Sequence, residues 1–511
     1  IDGKDNGIQA DPDLCSGPVD TPDGDIDLCG REWNSILLSG YRNGGGAYVA
    51  LDVTNAKCDA STNGQDECNV SRKHLNNGAD YPTHLWTLFD KNFGNVWSDP
   101  TIGRVRMQTV KDGNQILVDR WVMFVGGGLH PTDINPTDGV SNDLGNAFYV
   151  IDIATGKIIF KYARNSTSAP NASLTDSRMR CDMPSKVGAF DLNADGYIDL
   201  VYTGDTCGRL WRFDVSMPIV DNGNDVTETG IGGSANIVAP DWTGDIAFCA
   251  NTSSECNKTN NVPTNNVQPI FFAPTTVLDD LGRRHVIFLT GNRRDPSNVN
   301  EFGKLYNFID TFIPAFLTGG NAVTAAMKTE GNFTSGQFIN LVPQSGVSDQ
   351  FTTSGGTTIN NQGEFIVRFP DNVTTPTGEK GFGSPAVINR VLVFTTYAPS
   401  SGQQSSNPCA ENVGVGRIFA LDYLSGQPAM ARIPGAENII QGSSSQQQAA
   451  AGLTVAQGMP TPAQLTFGAR GSVVLTVAFS GSSTVGGAQF LVMELPPFPA
   501  RTQTLFWEEI L

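Results

Sequence analysis

Oxygen-bearing side chains recur at alternate positions along Asp191-Leu192-Asn193-Ala194-Asp195-Gly196-Tyr197-Ile198-Asp199. With Asp191 as the first position, oxygens fall at the first, third, fifth and ninth, and a glycine stands at the sixth. A hard divalent cation such as Ca2+ takes about six to eight oxygen ligands. Asp191, Asn193 and Asp195 would offer side-chain oxygens, Tyr197 its backbone carbonyl, and Asp199 would close the cage. Gly196 permits the sharp bend that turns a carbonyl inward. The twelfth position is Tyr202, not the bidentate Glu of an EF-hand, so closure rests on Asp199. Asn-Ala-Asp-Gly also forms turns without metal. Four oxygens in register with a glycine favour a Ca2+ loop over a bare turn.

Such a loop needs elements to hold it. Lys186–Phe190 before it and Leu200–Tyr202 after it read as strands, not helices. The same pattern recurs along the chain. Five apolar strands end in aspartate, at Asp52, Asp152, Asp214, Asp310 and Asp422, each with a glycine shortly before or at the strand. Five prolines, Pro100, Pro184, Pro274, Pro385 and Pro460, each open an apolar strand followed by a turn and a second apolar strand. Outer strands are expected at His84–Asp90, Lys157–Tyr162 and Thr504–Glu508. Four antiparallel strands per repeat predict an all-β fold, a β-propeller of six or seven four-stranded blades. Inner strands such as Val122-Met123-Phe124-Val125 are apolar throughout, as expected of strands covered on both faces. The repeats exceed the ~40–50 residues of compact blades, so long loop insertions are expected. These are placed at 216–268, 316–365 and 436–457, the last read as a low-complexity, mobile stretch. Residues 1–32 read as an Asp/Gly-rich linker or loop, and 33–511 as the propeller.

The 511 residues carry a formal net charge of −18, and only 16% are charged. That balance argues against nucleic acid and anionic membrane surfaces, which need excess Lys and Arg. No apolar run approaches the ~20 residues of a membrane span. The chain opens on Ile1 and is read as a processed product or fragment. Nine cysteines lack any Cys-x-x-Cys, which leaves zinc ribbons, thioredoxin-like redox motifs and covalent haem without support. Their local spacing suggests disulfides Cys15–Cys29, Cys58–Cys68, Cys181–Cys207 and Cys249–Cys256, with Cys409 left over, in an oxidising compartment. Spacing alone does not settle such pairings.

The segment from Asp191 to Asp214 resembles the C-terminal propeller of the type IV pilus tip adhesin and biogenesis family, the PilY/PilC proteins. There an acidic loop precedes a motif found here as Tyr202-Thr203-Gly204-Asp205-Thr206-Cys207-Gly208-Arg209-Leu210-Trp211-Arg212-Phe213-Asp214. Ala50-Leu51-Asp52-Val53-Thr54, Tyr149-Val150-Ile151-Asp152 and Gln268-Pro269-Ile270 extend the likeness over roughly residues 33 to 430. The resemblance implies Ca2+ ligands at Asp191, Asn193, Asp195, Tyr197 and Asp199. It also implies export through the periplasm to the cell surface or pilus tip, minor pilins and surface receptors as partners, and roles in pilus assembly, retraction control and adhesion. Cys207 and Arg209 depart from the family pattern, and neither Asp-x-Ser-x-Ser nor Arg-Gly-Asp occurs.

Other chemistry is weaker. A quinoprotein-type propeller oxidoreductase would carry adjacent cysteines, absent here. None of His74, His84, His130 and His285 lies near a Gly-x-Ser-x-Gly. His84, beside Trp86, reads as a packed structural residue, and His130 as a loop residue. A paired-carboxylate hydrolase is compatible with 51 Asp and Glu but has no signature. Asp20, Asp23, Asp25 and Asp27 read as a solvated acidic linker before a second cation site. The expectation is therefore a non-enzymatic Ca2+-binding surface protein, with a purely structural surface protein as another alternative.

Overall fold

The structure, a computed structural model, describes residues 35–495 apart from 54–81, 112–113, 132–143, 165–172, 222–236, 239–241, 260–266, 320–321, 348, 358, 360–362, 371–376, 400–413, 434–435, 437–438, 468–472 and 481–489. The predicted outer strand Thr504–Glu508, the linker 1–32, Asp20–Asp27 and five of the cysteines lie outside the described residues.

The sequence motif of inner strand, second strand, Asp-terminated third strand and outer strand is what the backbone forms. The second repeat runs Thr101–Lys111, Asn114–Gly126, Ala147–Asp152 and Ile158–Ala163, all antiparallel. The third runs Gly188–Phe190, Leu200–Gly204, Arg209–Asp214 and Thr243–Cys249. The fourth runs Thr275–Leu278, Arg284–Leu289, Lys304–Asp310 and Phe365–Arg368. The fifth runs Ala386–Ile388, Val391–Ala398, Val415–Asp422 and Gly452–Gln457. Three-stranded groups flank these, Ile36–Gly40 with Ala47–Asp52 and Thr83–Phe89, and Gln464–Phe467 with Val473–Ala478 and Phe490–Leu495. The innermost strands of the second to fifth repeats touch one another in chain order, as strands around a hub do.

Cores lie between sheets, not within them. Along Val122–Val125, Val122 and Phe124 enter the cluster shared with the third repeat through Val201, Trp211 and Phe213. Met123 and Val125 enter the cluster shared with Tyr48 of the first. Strand side chains alternate sides, so one continuously apolar strand serves two neighbours, and all four residues have no exposure. Phe148 stacks on Phe213 at 4.0 Å between the second and third repeats. Face-to-face sheets packed this way around a hub make an all-β propeller.

Four expectations need correction. Residues 436–457 are not a mobile insertion throughout: Ser444–Gln448 is a short helix and Gly452–Gln457 is the fifth repeat's outer strand. Small side chains make this possible, since a Cβ on Gly452 would lie 2.1 Å from the Phe419 ring. The insertion at 316–365 supplies Phe338–Pro343 and Gln350–Gly355, which join the fourth and fifth repeats into one 11-stranded sheet. The insertion at 216–268 likewise contains the third repeat's outer strand. His84 lies in its predicted strand but is exposed, bonded to Thr87 at 2.8 Å.

The Asp at the end of the third strand is a buried group with built-in partners in the second to fifth repeats. Asp152 accepts the Thr155 N–H at 2.8 Å and lies 3.7 Å from Arg120. Asp310 accepts Arg212 at 2.8 Å and the Tyr202 hydroxyl at 2.7 Å, with Arg284 at 3.6 Å. Asp422 meets Arg390 at 3.2 Å and Arg432 at 2.6 Å. Burial alone would raise the Asp310 pKa, but the charges of Arg212 and Arg284 and its hydrogen bonds hold it below the usual carboxylate value. A depressed native pKa contributes stability above the unfolded value, about 3.9, which is lost as pH falls through the native one. Asp310→Asn should therefore cost on the order of 3 kcal/mol at neutral pH. Urea melts should show that gap closing as pH drops below about 4; a pH-independent gap would contradict the ion-pair account.

Candidate metal-binding loop

The acidic stretch joins the inner strand Gly188–Phe190 of the third repeat to its second strand Leu200–Gly204, as predicted. Two residues adopt left-handed backbone, Ala194 at φ 59° and Gly196 at φ 86°. The loop thus curls on itself, and its amides point at its own carboxylates. Asp191 accepts Asp195 N at 3.2 Å and Gly196 N at 2.8 Å. Asn193 Oδ1 accepts Asp195 N at 2.9 Å, and Asp195 accepts Tyr197 N at 3.0 Å. Asp199 reaches back to accept Leu192 N at 2.7 Å. Asp191, Asn193, Asp195 and Asp199 are thereby gathered in one turn.

Tyr197 differs from the other four because its side chain faces away, into the second repeat. Its hydroxyl donates to Asp119 at 2.7 Å and accepts from Arg104 at 2.9 Å, while Arg104 also pairs with Asp119 at 2.9 Å. Arg106 lies 3.8 Å over the same ring and 3.7 Å from Asp195. Next to it, Ile198 N donates to Arg104 O at 2.9 Å. The Ile198 side chain fills the space left by Gly103, where a Cβ would lie 2.5 Å from it. Sequence reading missed this clamp because its partners sit 93 and 78 residues away.

Asp199 is 3% exposed. Burial first, and then the negative charges of Asp191 and Asp195, push its pKa up to about 7. Among the described residues neither Asp191 nor Asp199 has an ion pair, and no group of three or more His, Cys, Asp or Glu side chains stands ready to hold a metal ion. The donor set still suits a hard cation. It is all oxygen, each carboxylate keeps lone pairs beyond its backbone bonds, and a buried carboxylate without a counter-charge is costly. Asp191, Asn193, Asp195, Asp199 and the Tyr197 carbonyl are the residues that would hold Ca2+.

Beside the loop's strands, disulfides Cys181–Cys207 and Cys249–Cys256 form, with Cα separations of 5.9 and 6.2 Å, as the spacing suggested. Arg209 is fully buried between them, donating to Cys256 O at 3.1 Å and Arg178 O at 2.6 Å. The two residues that depart from the family motif, Cys207 and Arg209, therefore work together in cross-linking this corner.

Stacked four-stranded sheets around a hub, with an acidic loop between two inner strands, define a β-propeller protein with a candidate cation loop. The family model described as the PilY1 beta-propeller domain matches residues 20–335, and the chain belongs to that family. It is 22% identical over 403 residues to the Type IV pilus biogenesis factor PilY1 homolog of Xylella fastidiosa, covering 78% of this chain and 22% of that protein. It is 24% identical over 397 residues to the Type IV pilus biogenesis factor PilY1 of Pseudomonas aeruginosa strain UCBPP-PA14, covering 74% of this chain and 29% of that one. The chain thus spans under a third of the length of these relatives. The crystal structure of the Pseudomonas aeruginosa PilY1 C-terminal domain superposes with a TM-score of 0.55 at 19% identity, over 91% of this chain and 81% of that one. That likeness shows the shared fold.

Tyr197→Phe removes the hydroxyl shared by Asp119 and Arg104. Loss of this bond to a charged acceptor should loosen the loop by about 1–2 kcal/mol. The Ile198 amide should exchange with deuterium correspondingly faster, with global stability little changed. Unaltered exchange at Ile198 would show that the clamp does not hold the loop.

Proposed function

We propose that this chain is the Ca2+-binding propeller of a non-enzymatic, pilus-associated surface protein, one that supports type IV pilus assembly, retraction control and adhesion. The observation that carries the reading is the acidic loop, anchored between two repeats of a propeller in the PilY1 family. The names of the relatives, pilus biogenesis factors, support the pilus setting. Minor pilins and surface receptors are the partners this reading assigns, outside the cell or at the pilus tip after export through the periplasm. Among the described residues no helix is long and apolar enough to cross a membrane.

Asp191, Asp195 and Asp199 repel one another within one turn, and Asp199 bears that repulsion out of reach of solvent. Arg106 answers Asp195 at 3.7 Å, and bound Ca2+ would supply the positive charge that Asp191 and Asp199 lack. The loop's own residues then carry the effect outward. Asp199 leads directly into Leu200, which faces Asp214 across the sheet, and Tyr197 with Ile198 ties the loop to the second repeat. Ligand occupancy at a hundredfold excess over the dissociation constant is worth about 2.7 kcal/mol. With three carboxylates, affinity falls within about 10⁻⁶ to 10⁻³ M.

Calorimetric titration of chelator-treated protein tests the reading. The parent should bind one Ca2+ at this loop, and Asp195→Ala should lose it while keeping its melting temperature in chelator, because Asp195 is half-exposed. An Asp195→Ala variant that binds as the parent does would remove the assignment.

A further inference from the structure

One end of the hub gathers loops from several repeats, and one arginine there has no hydrogen-bond or ion-pair partner among the described residues. Arg293 lies in the turn between Arg284–Leu289 and Lys304–Asp310 of the fourth repeat. Its guanidinium sits 5.7 Å from the Trp97 ring, 5.3 Å from Phe272 and 5.9 Å from Phe382. These rings come from three repeats: Trp97 precedes the inner strand Thr101–Lys111, Phe272 precedes Thr275–Leu278, and Phe382 precedes Ala386–Ile388. Loops from such separate repeats meet only near the axis of the ring.

Trp97 is shared. Arg42, from the turn between the first repeat's strands Ile36–Gly40 and Ala47–Asp52, lies over the same indole at 5.4 Å. The indole N–H donates to Asn43 at 3.1 Å, which fixes the ring plane. Arg42 has a carboxylate partner, Asp99 at 2.9 Å, half-exposed on both sides. Arg293, by contrast, makes no hydrogen bond or ion pair among the described residues. Burial among the rings, and then the charge of Arg42, push its pKa down from the usual arginine value. Asp99 acts on both arginines through its charge, but its bond goes to Arg42, which leaves the Arg293 fork open to a carboxylate from outside.

A guanidinium presents a planar fork of donors that matches a carboxylate. Here the residue is exposed and its flanks are aromatic, so a ligand placing a carboxylate on Arg293 would lay an apolar stem on the partly exposed rings of Trp97 and Phe272, with the buried Phe382 behind them. We propose that this face is a binding site for an acidic peptide segment of a protein partner, whose carboxylate pairs with Arg293 and whose neighbouring apolar side chains cover Trp97 and Phe272. The planar fork and the aromatic walls favour such a segment over a sulfated glycan, which carries many charges and little apolar surface. This proposal is independent of metal occupancy in the acidic loop.

The test is a fluorescence titration of the full chain with a blocked phenylalanine–aspartate–phenylalanine tripeptide amide, beside its asparagine counterpart and a heparin-derived tetrasaccharide. The aspartate peptide should change the tryptophan emission, and the change should vanish in Trp97→Phe. Its asparagine counterpart, and Arg293→Gln with the aspartate peptide, should each bind about tenfold more weakly, the usual loss for a charge-assisted hydrogen bond. Arg293→Gln should melt close to the parent, since the side chain makes no hydrogen bond or ion pair among the described residues and Gln keeps part of its packing on the rings. Equal binding of the two peptides, undiminished binding by Arg293→Gln, no binding by the aspartate peptide, or tight binding of the tetrasaccharide alone would each overturn the proposal.

Discussion

A carboxylate buried where the third strand ends in the second to fifth repeats is the charge around which this fold is arranged. Removing a charge from water is expensive unless it is paired and hydrogen-bonded. The second, fourth and fifth repeats solve this alike. An arginine lies within two residues of the position facing the aspartate: Arg120 for Asp152, Arg284 for Asp310, Arg390 for Asp422. The third repeat breaks the rule. Asp214 faces Leu200, and the residue before Leu200 is Asp199, the last oxygen donor of the acidic loop. Asp214 instead accepts from Ser216 N at 3.1 Å and Ala315 N at 2.8 Å, and has no ion pair among the described residues. Where the other repeats bring an arginine, this one brings three more carboxylates. A cation held by the loop would restore at this position the positive charge that arginine provides elsewhere.

The surroundings keep that position stiff. Ile198 against Gly103, and Tyr197 with Arg104 and Asp119, fasten the loop to the second repeat. On the far end of the same strands, Arg209 and two disulfides fasten the turns. Between these anchors the strands Leu200–Gly204 and Arg209–Asp214 are buried on both faces by neighbouring sheets. A change of charge in the loop therefore acts on two packed repeats at once.

The repeat itself was legible because inner strands are covered on both faces and so read as unbroken apolar runs, punctuated by proline and aspartate. Pro100, Pro274 and Pro385 do stand immediately before inner strands. Outer strands were harder to read. Gly452–Gln457 lies after a Ser/Gln-rich stretch, and Thr243–Cys249 inside a polar one, so composition hid what sheet pairing requires. Local spacing found Cys181–Cys207 and Cys249–Cys256, separated by 26 and 7 residues. The oxygen spacing marked a loop whose carboxylates bond its own backbone amides. The arginines opposite the strand-end aspartates, and the cluster at Arg293, were not visible, because their partners come from distant repeats that only the ring brings together.

The most direct measurement is a crystal structure of the protein grown in millimolar Ca2+. One ion should stand about 2.3–2.6 Å from oxygens of Asp191, Asn193, Asp195 and Asp199 and from the Tyr197 carbonyl. A loop that holds no ion under those conditions, with Asp199 still bonded only to backbone amides, would contradict the claim that a cation stands where the other repeats place an arginine.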